Sequence, residues 1–251
     1  MIRDTLLAPL ARFLPISLHE MDAVKLHVRV DTKYLFPEDR LGEVLEALAE
    51  DYRILEVDGR RGGSYRSLYF DTADRRHFHD HHNGRIRRSK VRFRAYGQDR
   101  SGFLEVKRKN GRGHTDKARL PVEEITEVLS PEQQAFVMEK SGCREPLAPV
   151  LWNHFTRLTL VHRTRAERLT IDQDLRFSGP GGKTALEGLC VAELKEQRAD
   201  RGSPFHALMR RLGFRPAGLS KYCVGLLLLA PGTKYNTFKS TLLGIDRLRR
   251  R

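Results

Sequence analysis

The sequence has little cysteine: Cys143, Cys190 and Cys223 are the only three among 251 residues. They lie far apart, their number is odd, and no CxxC spacing occurs, so the sequence predicts neither a zinc–thiolate site nor a disulfide framework. We interpret them as reduced packing residues, which is typical of a cytoplasmic protein.

Long hydrophobic runs are also missing. The apolar stretch 224–230 is too short to span a bilayer, which takes about 20 residues as a helix. The N-terminal segment is a poor signal peptide, because Asp4, Pro9 and Pro15 interrupt its apolar part. We therefore predict a cytoplasmic protein and leave open whether it associates with a membrane through a membrane-protein partner.

Acidic residues are too few to balance the basic ones. The chain carries 46 Lys+Arg against 32 Asp+Glu, a formal net charge of +14. Such an excess predicts an acidic partner, which could be nucleic acid, an anionic membrane or a small polyanion. The length suits one large domain, or one domain with small additions.

Hydrophobic periodicity and turn signals divide the chain into segments. We predict an N-terminal extension over 1–25, a main domain over 26–231 and a basic C-terminal tail over 232–251. Alternating apolar and polar residues predict strands, and a 3.6-residue period predicts helices. The predicted strands are 27–35, 65–70, 85–96, 102–109, 117–122, 155–163, 168–175 and 189–197, and the predicted helices are 37–51, 130–141, 203–212 and 220–230.

Several of these strands share an unusual polar face. Lys90, Arg92 and Arg94 alternate with apolar residues on one strand, and Glu105 and Lys107 do so on the next. The pattern fits an antiparallel sheet with one face in water, and it also fits a barrel with its polar face turned inward. Like charges this close repel unless an anion lies between them, so both interpretations stay open at this point.

Eight stretches resemble, in the same order, the catalytic domain of the vacuolar transporter chaperone (VTC) complex. That domain is a polyphosphate polymerase within the CYTH-like, or triphosphate tunnel metalloenzyme, superfamily, and the resemblance runs from about residue 28 to residue 225. The stretches are VDTKYLFP, SLYFDT, KVRFRAYG, FLEVKRK, DKARLPV, RLTIDQDL, VAELKEQ and LSKYCVG.

The resemblance implies a fold and an activity. The fold is α+β: an antiparallel β-barrel that forms a triphosphate tunnel with a polar, basic interior and helices packed outside. The activity is transfer of the γ-phosphate of ATP to a growing polyphosphate chain, with ATP and polyphosphate as partners and Mn²⁺ or Mg²⁺ as cofactor. Phosphoryl transfer of this kind depends mainly on positioning and charge stabilisation.

The resemblance also implies roles for individual residues. The residues that match the family's catalytic set are Arg92, Arg94, Lys107 and Glu193, and Glu193 is the implied metal ligand. Glu105 and Asp172 are weaker candidates for that ligand. The implied substrate-binding residues are Lys33, Arg92, Arg94, Lys107, Lys117, Arg157, Ser220 and Lys221.

The chain departs from the family pattern at four positions. Arg29 and Asp31 stand where many tunnel enzymes have two glutamates, which weakens a full set of carboxylate ligands on this strand. Phe155 replaces a tyrosine, and Gly218 replaces a lysine of some members.

Two other functions stay open: hydrolysis of tripolyphosphate or an organic triphosphate, and non-catalytic binding of polyphosphate or nucleic acid. Nucleic acid is the less favoured ligand, because no aromatic platform is interleaved with the basic residues in the sequence. The loop 178–184 has Phe177 where a Walker A motif needs glycine, so it is interpreted as a hairpin turn.

The histidine-rich stretch 77–82 could be a zinc site. It lacks carboxylate or cysteine partners at helical spacing, so we predict a solvated surface segment instead.

Overall fold

The structure is a computed structural model that describes residues 4–23, 29–97, 99–111, 114–198, 200 and 202–250. The predicted first strand begins at His27, which lies outside the described residues together with Val28. The same holds for Arg112 and Gly113 in the basic loop that precedes Thr115.

Strands make up most of the described chain. They are β1 (Leu14–Ile16), β2 (Val30–Pro37), β3 (Tyr52–Val57), β4 (Arg60–Arg61), β5 (Gly63–Asp71), β6 (Arg88–Tyr96), β7 (Gly102–Lys109), β8 (Thr115–Val122), β9 (Ala148–His162), β10 (Glu167–Gly179), β11 (Gly182–Leu186) and β12 (Leu189–Glu196).

The helices are mostly short. They are α1 (Leu7–Ala11), α2 (Leu18–Ala23), α3 (Leu41–Leu48), α4 (Arg76–His82), α5 (Pro131–Ser141), α6 (Pro204–Arg211), α7 (Lys221–Leu229) and α8 (Lys239–Arg249), with 3₁₀ turns at Asp4–Leu6, Glu38–Arg40 and Asn236–Phe238. Among the described residues no helix is both long and apolar enough to cross a bilayer.

One sheet organises the domain. Its main path runs β2-β12-β10-β9-β5-β6-β7-β8, and neighbours along this path are antiparallel. Within the described residues, β2 and β8 at its two ends are not hydrogen-bonded to each other. The sheet is nevertheless strongly curled, since the short segment 217–220 contacts both β2 and β6: Ala217 N–H donates to the Lys33 carbonyl oxygen at 2.8 Å, and Ser220 Oγ accepts from Lys90 Nζ at 2.9 Å.

The curl separates two faces. The outward face is apolar and is covered by helices: α5 lies over Val91, Phe93, Leu104 and Val106, while α3 and α6 cover the other half of the sheet. Helix α5 begins at a capping box in which Ser130 accepts from Gln133 N–H, as its Ser-Pro start predicts. The predicted α+β barrel with helices outside is confirmed.

Helix α7 is an exception to this layering. It packs against Leu35, Tyr69 and Val191, which alternation places on the inward face. At Gly225 it approaches the sheet so closely that an added Cβ would lie 2.4 Å from the Phe177 ring. The helix therefore enters one end of the barrel, and its first turn reaches the basic interior.

The terminal segments pack against the domain. Leu6, Leu10 and Phe13 from the N-terminal segment join the core under α3. In the C-terminal segment, Phe238 and Ile245 are buried in the core around α7. The boundaries proposed at 25/26 and 231/232 stay predictions.

The histidine-rich segment differs from its prediction as a solvated surface. His77 and His82 are each 4% exposed, so the prediction is wrong for both. The reason is that α4 packs against α7, β5 and the 3₁₀ turn near the C-terminus: the His82 ring meets Phe238 edge-on at 5.8 Å, and the His77 N–H donates to the buried Asp71 at 2.8 Å. Among the described residues no group of three or more His, Cys, Asp or Glu is placed to hold a metal ion.

A buried carboxyl group makes stability depend on pH. Glu167 is 2% exposed, lies opposite Glu196 in the sheet and accepts a hydrogen bond from Ser203 Oγ at 3.1 Å. Burial raises its pKa from 4.5 to about 7. The folded protein thus holds this proton more tightly than the unfolded chain, so this stabilisation is full below pH 4.5 and is lost as the pH rises through about 7.

We expect Glu167→Gln to remove this pH dependence. Between pH 4.5 and pH 8 the wild type should lose on the order of 3 kcal/mol that the variant keeps, since one pKa unit corresponds to about 1.4 kcal/mol. Thermal unfolding at several pH values measures the difference, with the exposed Glu187→Gln as the control. Parallel pH profiles for wild type and Glu167→Gln would contradict the assignment.

Candidate functional site

The interior of the barrel carries a row of directly opposed lysines. Lys90 on β6 faces Lys107 on β7, and Lys107 faces Lys117 on β8. Because neighbouring strands lie about 4.8 Å apart, the row extends for about 10 Å across the sheet. Like charges in directly opposite positions destabilise a sheet, so the row is suited to an anion that bridges all three.

Two residues before Lys107 on β7, one carboxylate contacts three cations. Glu105 is 1% exposed and lies opposite both Arg92 and Arg119 in the sheet. Its Oε2 accepts from Arg92 Nη2 at 2.7 Å, while its Oε1 accepts from Arg119 Nε at 3.0 Å and lies 2.6 Å from Lys117 Nζ. Burial opposes ionisation of Glu105, but Arg92 and its neighbours hold its pKa well below the usual range.

A second carboxylate, on β10, contacts two cations. Asp172 lies opposite Arg157 in the sheet and accepts from its Nε at 2.6 Å and its Nη2 at 2.8 Å. Lys221, from the first turn of α7, also donates to it. Burial disfavours the charged carboxylate, yet Arg157 and Lys221 lower the pKa of Asp172 to about 2.

A third carboxylate lies on the adjoining strands. Glu193 on β12 faces Lys33 on β2, with 3.4 Å between Oε1 and Nζ, and it also accepts from Lys195. Burial would raise the pKa of Glu193, but Lys195 and Lys33 keep it well below its usual range. Glu193 is therefore ionised at neutral pH and is bound to two lysines.

Two interior cations, the half-buried Lys90 and the buried Arg94, have only neutral hydrogen-bond partners among the described residues. Lys90 Nζ donates to Ser220 Oγ at 2.9 Å, and Arg94 Nε donates to Ser67 Oγ at 3.3 Å. Burial, with neighbouring cations, lowers the pKa of Lys90 to about 8 and that of Arg94 to about 10. Both charges are held in a site that disfavours them, which is what a polyanion would reverse.

The structure brings the predicted site residues to one surface. Those that line the barrel interior or its α7 end are Lys33, Arg92, Arg94, Lys107, Lys117, Arg157, Glu193, Ser220 and Lys221. Their roles in binding and catalysis stay proposals. Glu105 and Asp172 are held by arginine and lysine, so in this arrangement they orient cations.

Two interior lysines received no role in the site from the sequence, and Tyr69 was not considered. Lys90 and Lys195 stand on the same strand faces as Arg92 and Glu193, so their spacing of two residues was the available signal. Tyr69 accepts from Arg92 Nη1 at 3.1 Å through its hydroxyl. It follows the alternation of SYRSLYF, where Tyr65 and Ser67 share its face.

We expect Glu105→Gln to destabilise the protein, because Glu105 neutralises the repulsion among the three cations that it contacts. The variant leaves three cations without their carboxylate, and loss of a buried charge partner costs about 3–5 kcal/mol, or on the order of 10 °C in Tm for a domain of this size. Inorganic tripolyphosphate should restore most of that loss, because it supplies the missing negative charge.

Thermal unfolding with and without tripolyphosphate measures both effects. The control is Glu124→Gln, which removes an exposed partner of Arg100 at 2.6 Å and should change Tm little. Equal Tm values for the two variants, or no recovery with tripolyphosphate, would contradict this role of Glu105.

Comparison with known proteins supports the family assignment. The VTC domain family matches residues 28–230. No curated protein matches the chain significantly.

Solved structures that resemble the fold include a candidate adenylyl cyclase from Hippeastrum with a dominant triphosphatase activity, at 15% identity, TM-score 0.48, and coverage of 79% of this chain and 95% of that one. A candidate adenylate cyclase from Bacillus halodurans follows at 12% identity, TM-score 0.47, and coverage of 77% and 94%. Since the family match spans most of the sequence and its motifs fall on the interior strands, the chain belongs to the VTC domain family.

Proposed function

We propose that this protein is a polyphosphate polymerase, which transfers the γ-phosphate of ATP to a growing inorganic polyphosphate chain inside the tunnel. The observation that carries the proposal is the opposed row of Lys90, Lys107 and Lys117 beside Arg92 and Arg94. A linear polyanion can contact all of these groups at once.

The three carboxylates prepare the cations for this ligand. Glu105 and Asp172 hold Arg92 and Arg157 through two guanidinium nitrogens each. Guanidinium groups fixed in this way need little reorganisation when phosphate arrives, which is the main source of electrostatic catalysis. Their remaining N–H donors suit phosphate oxygens.

The reaction needs no nucleophilic side chain. A terminal oxygen of the polyphosphate chain attacks the γ-phosphorus, the bond to the β–γ bridging oxygen breaks, and ADP leaves with that oxygen. Charge on the transferred group is stabilised by Arg92, Arg94 and Lys107. The phosphates on either side are positioned by Lys33, Lys117, Arg157, Ser220 and Lys221.

Glu193 fits a divalent metal in a limited sense. It offers one ionised carboxylate, and Mg²⁺ commonly binds through one or two carboxylates together with substrate phosphates and water. Mn²⁺ or Mg²⁺ held there by Glu193 and phosphate oxygens would supply further charge neutralisation. Lys33 and Lys195 would then be free to turn from Glu193 to the phosphates.

Incubation of the purified protein with ATP and Mn²⁺, followed by phosphorus NMR, tests the proposed reaction. We expect resonances of internal phosphoryl groups and of ADP. Arg92→Ala should reduce kcat/KM by about 100-fold or more, as loss of one preorganised donor to developing charge does. The exposed Arg100→Ala serves as the matched control.

Three outcomes of this assay separate the candidate functions. Internal phosphoryl groups support the polymerase. Free phosphate alone replaces the polymerase with a triphosphate hydrolase of the same fold. Binding of tripolyphosphate that survives Glu193→Ala and metal removal, without turnover, indicates a binding module.

The pH dependence of polyanion binding gives a second test. Burial is the main cause that lowers the pKa of Lys90, Lys117 and Lys195 to about 8, from an ordinary 10.5. Tripolyphosphate favours the protonated lysines, so its affinity should fall as the pH rises past 8. Calorimetric titration in metal-free buffer measures the profile, and a constant affinity up to pH 10 would contradict it.

A further inference from the structure

The basic interior ends in aromatic side chains on the side of the β6–β7 connection. Phe155 stacks on Tyr65 with 5.2 Å between ring centroids, Tyr65 meets Tyr96 edge-on at 5.1 Å, and Phe103 lies 6.2 Å from Tyr96. These rings come from β9, β5, β6 and β7, on the strand faces that carry the interior cations.

Cations interleave with the rings. Arg157 lies 4.9 Å from the Tyr65 centroid, Arg94 lies 5.7 Å from it, and Arg119 lies 5.4 Å from the Phe103 centroid. The aromatic platform that the sequence did not show therefore exists, because the sheet assembles it from one or two rings on each strand.

Tyr96 and Phe103 border a cavity of about 270 Å³. This is just below the usual range of about 300–1,000 Å³ for drug-sized ligands, so it suits one planar ring system and not a whole nucleotide. Its other lining residues include the apolar Pro121 and Val122 and the polar Asp99 and Ser101.

The cavity adjoins the proposed phosphate site. Phe103 lies directly opposite Arg94 on β6, and Arg119, which covers the Phe103 ring, also donates to Glu105. A ligand that places a planar group in the cavity would thus present a linked anionic group to Arg94 and Arg119 without a long spacer.

We propose that this cavity is a subsite for the base of a nucleoside triphosphate, which contacts both Tyr96 and Phe103 while its phosphates extend toward the lysine row. This inference rests on the proposed function, because it assigns a binding site to the base of the proposed phosphate donor. Stacking tolerates different bases, so the subsite distinguishes nucleoside triphosphates from inorganic tripolyphosphate more strongly than it distinguishes ATP from GTP.

Calorimetric titration of ATP and of inorganic tripolyphosphate, both without divalent metal so that no turnover occurs, tests the subsite. Phe103→Leu and Tyr96→Leu should each weaken ATP binding by about tenfold, the lower part of the range for loss of one base-stacking ring. Tripolyphosphate affinity should stay the same, which also shows that the variants fold.

Matched variants sharpen the comparison. Tyr96→Phe and Phe103→Tyr keep a ring and should bind ATP like the wild type. Tyr235→Leu removes an aromatic residue that is 48% exposed and does not border the cavity, and it should change neither affinity.

The other outcomes would contradict either the base subsite alone or the proposed function as well. Equal losses for ATP and tripolyphosphate, or no loss for either, would overturn the base subsite and leave the phosphate tunnel intact. If the wild type binds neither ligand, the proposed function and the subsite fail together.

Discussion

Mutual repulsion of the cations that line the interior is the constraint on which the interior depends. Arginine and lysine on adjacent strands face each other in register, and the charges that are removed from water carry a desolvation cost as well. The three interior carboxylates, Glu105, Asp172 and Glu193, each accept from at least two of these cations. They compensate part of the positive charge and leave the rest for a ligand.

The surrounding fold makes that interior possible. Apolar residues on the outward face pack under α3, α5 and α6. One layer of strands therefore separates the hydrophobic core from the polar interior. The curl of the sheet then brings β2 near β6, and in the described part of the chain no hydrogen bonds join the end strands β2 and β8. Because α7 enters the barrel, Ser220 and Lys221 reach Lys90 and Asp172 from a helix at one end.

The two ends of the interior differ in chemistry. Toward α7 lie lysines and the hydroxyl of Ser220, and toward the β6–β7 connection lie the Tyr96 and Phe103 rings. Such an asymmetric site can orient a ligand that has one anionic end and one planar end. Polymerase and hydrolase would share this binding geometry, since they differ in whether phosphate or water reaches the γ-phosphorus.

The sequence by itself determined which strands carry charged side chains on one face and apolar side chains on the other. Alternation marks one polar and one apolar face on β2, β6, β7, β10 and β12, and with the ordered motifs it identified Arg92, Lys107 and Glu193 before any contact was known. Helix α5 was equally predictable, because the cap of Ser130 is a local interaction. Strand β3 was missed, since its pairing with β1, β4 and β9 is what stabilises it as a strand.

Only the tertiary structure decided which strands face each other and what each charge contacts. Whether Glu105 binds a metal or three cations depends on register, because a shift of one residue would turn its side chain to the other face. The burial of His77 and His82 and the aromatic platform around Tyr65 and Tyr96 also arise from residues distant in sequence. Periodicity reports the face of a side chain along its own strand, whereas its partners are set by the curl of the sheet and by the helix that enters it.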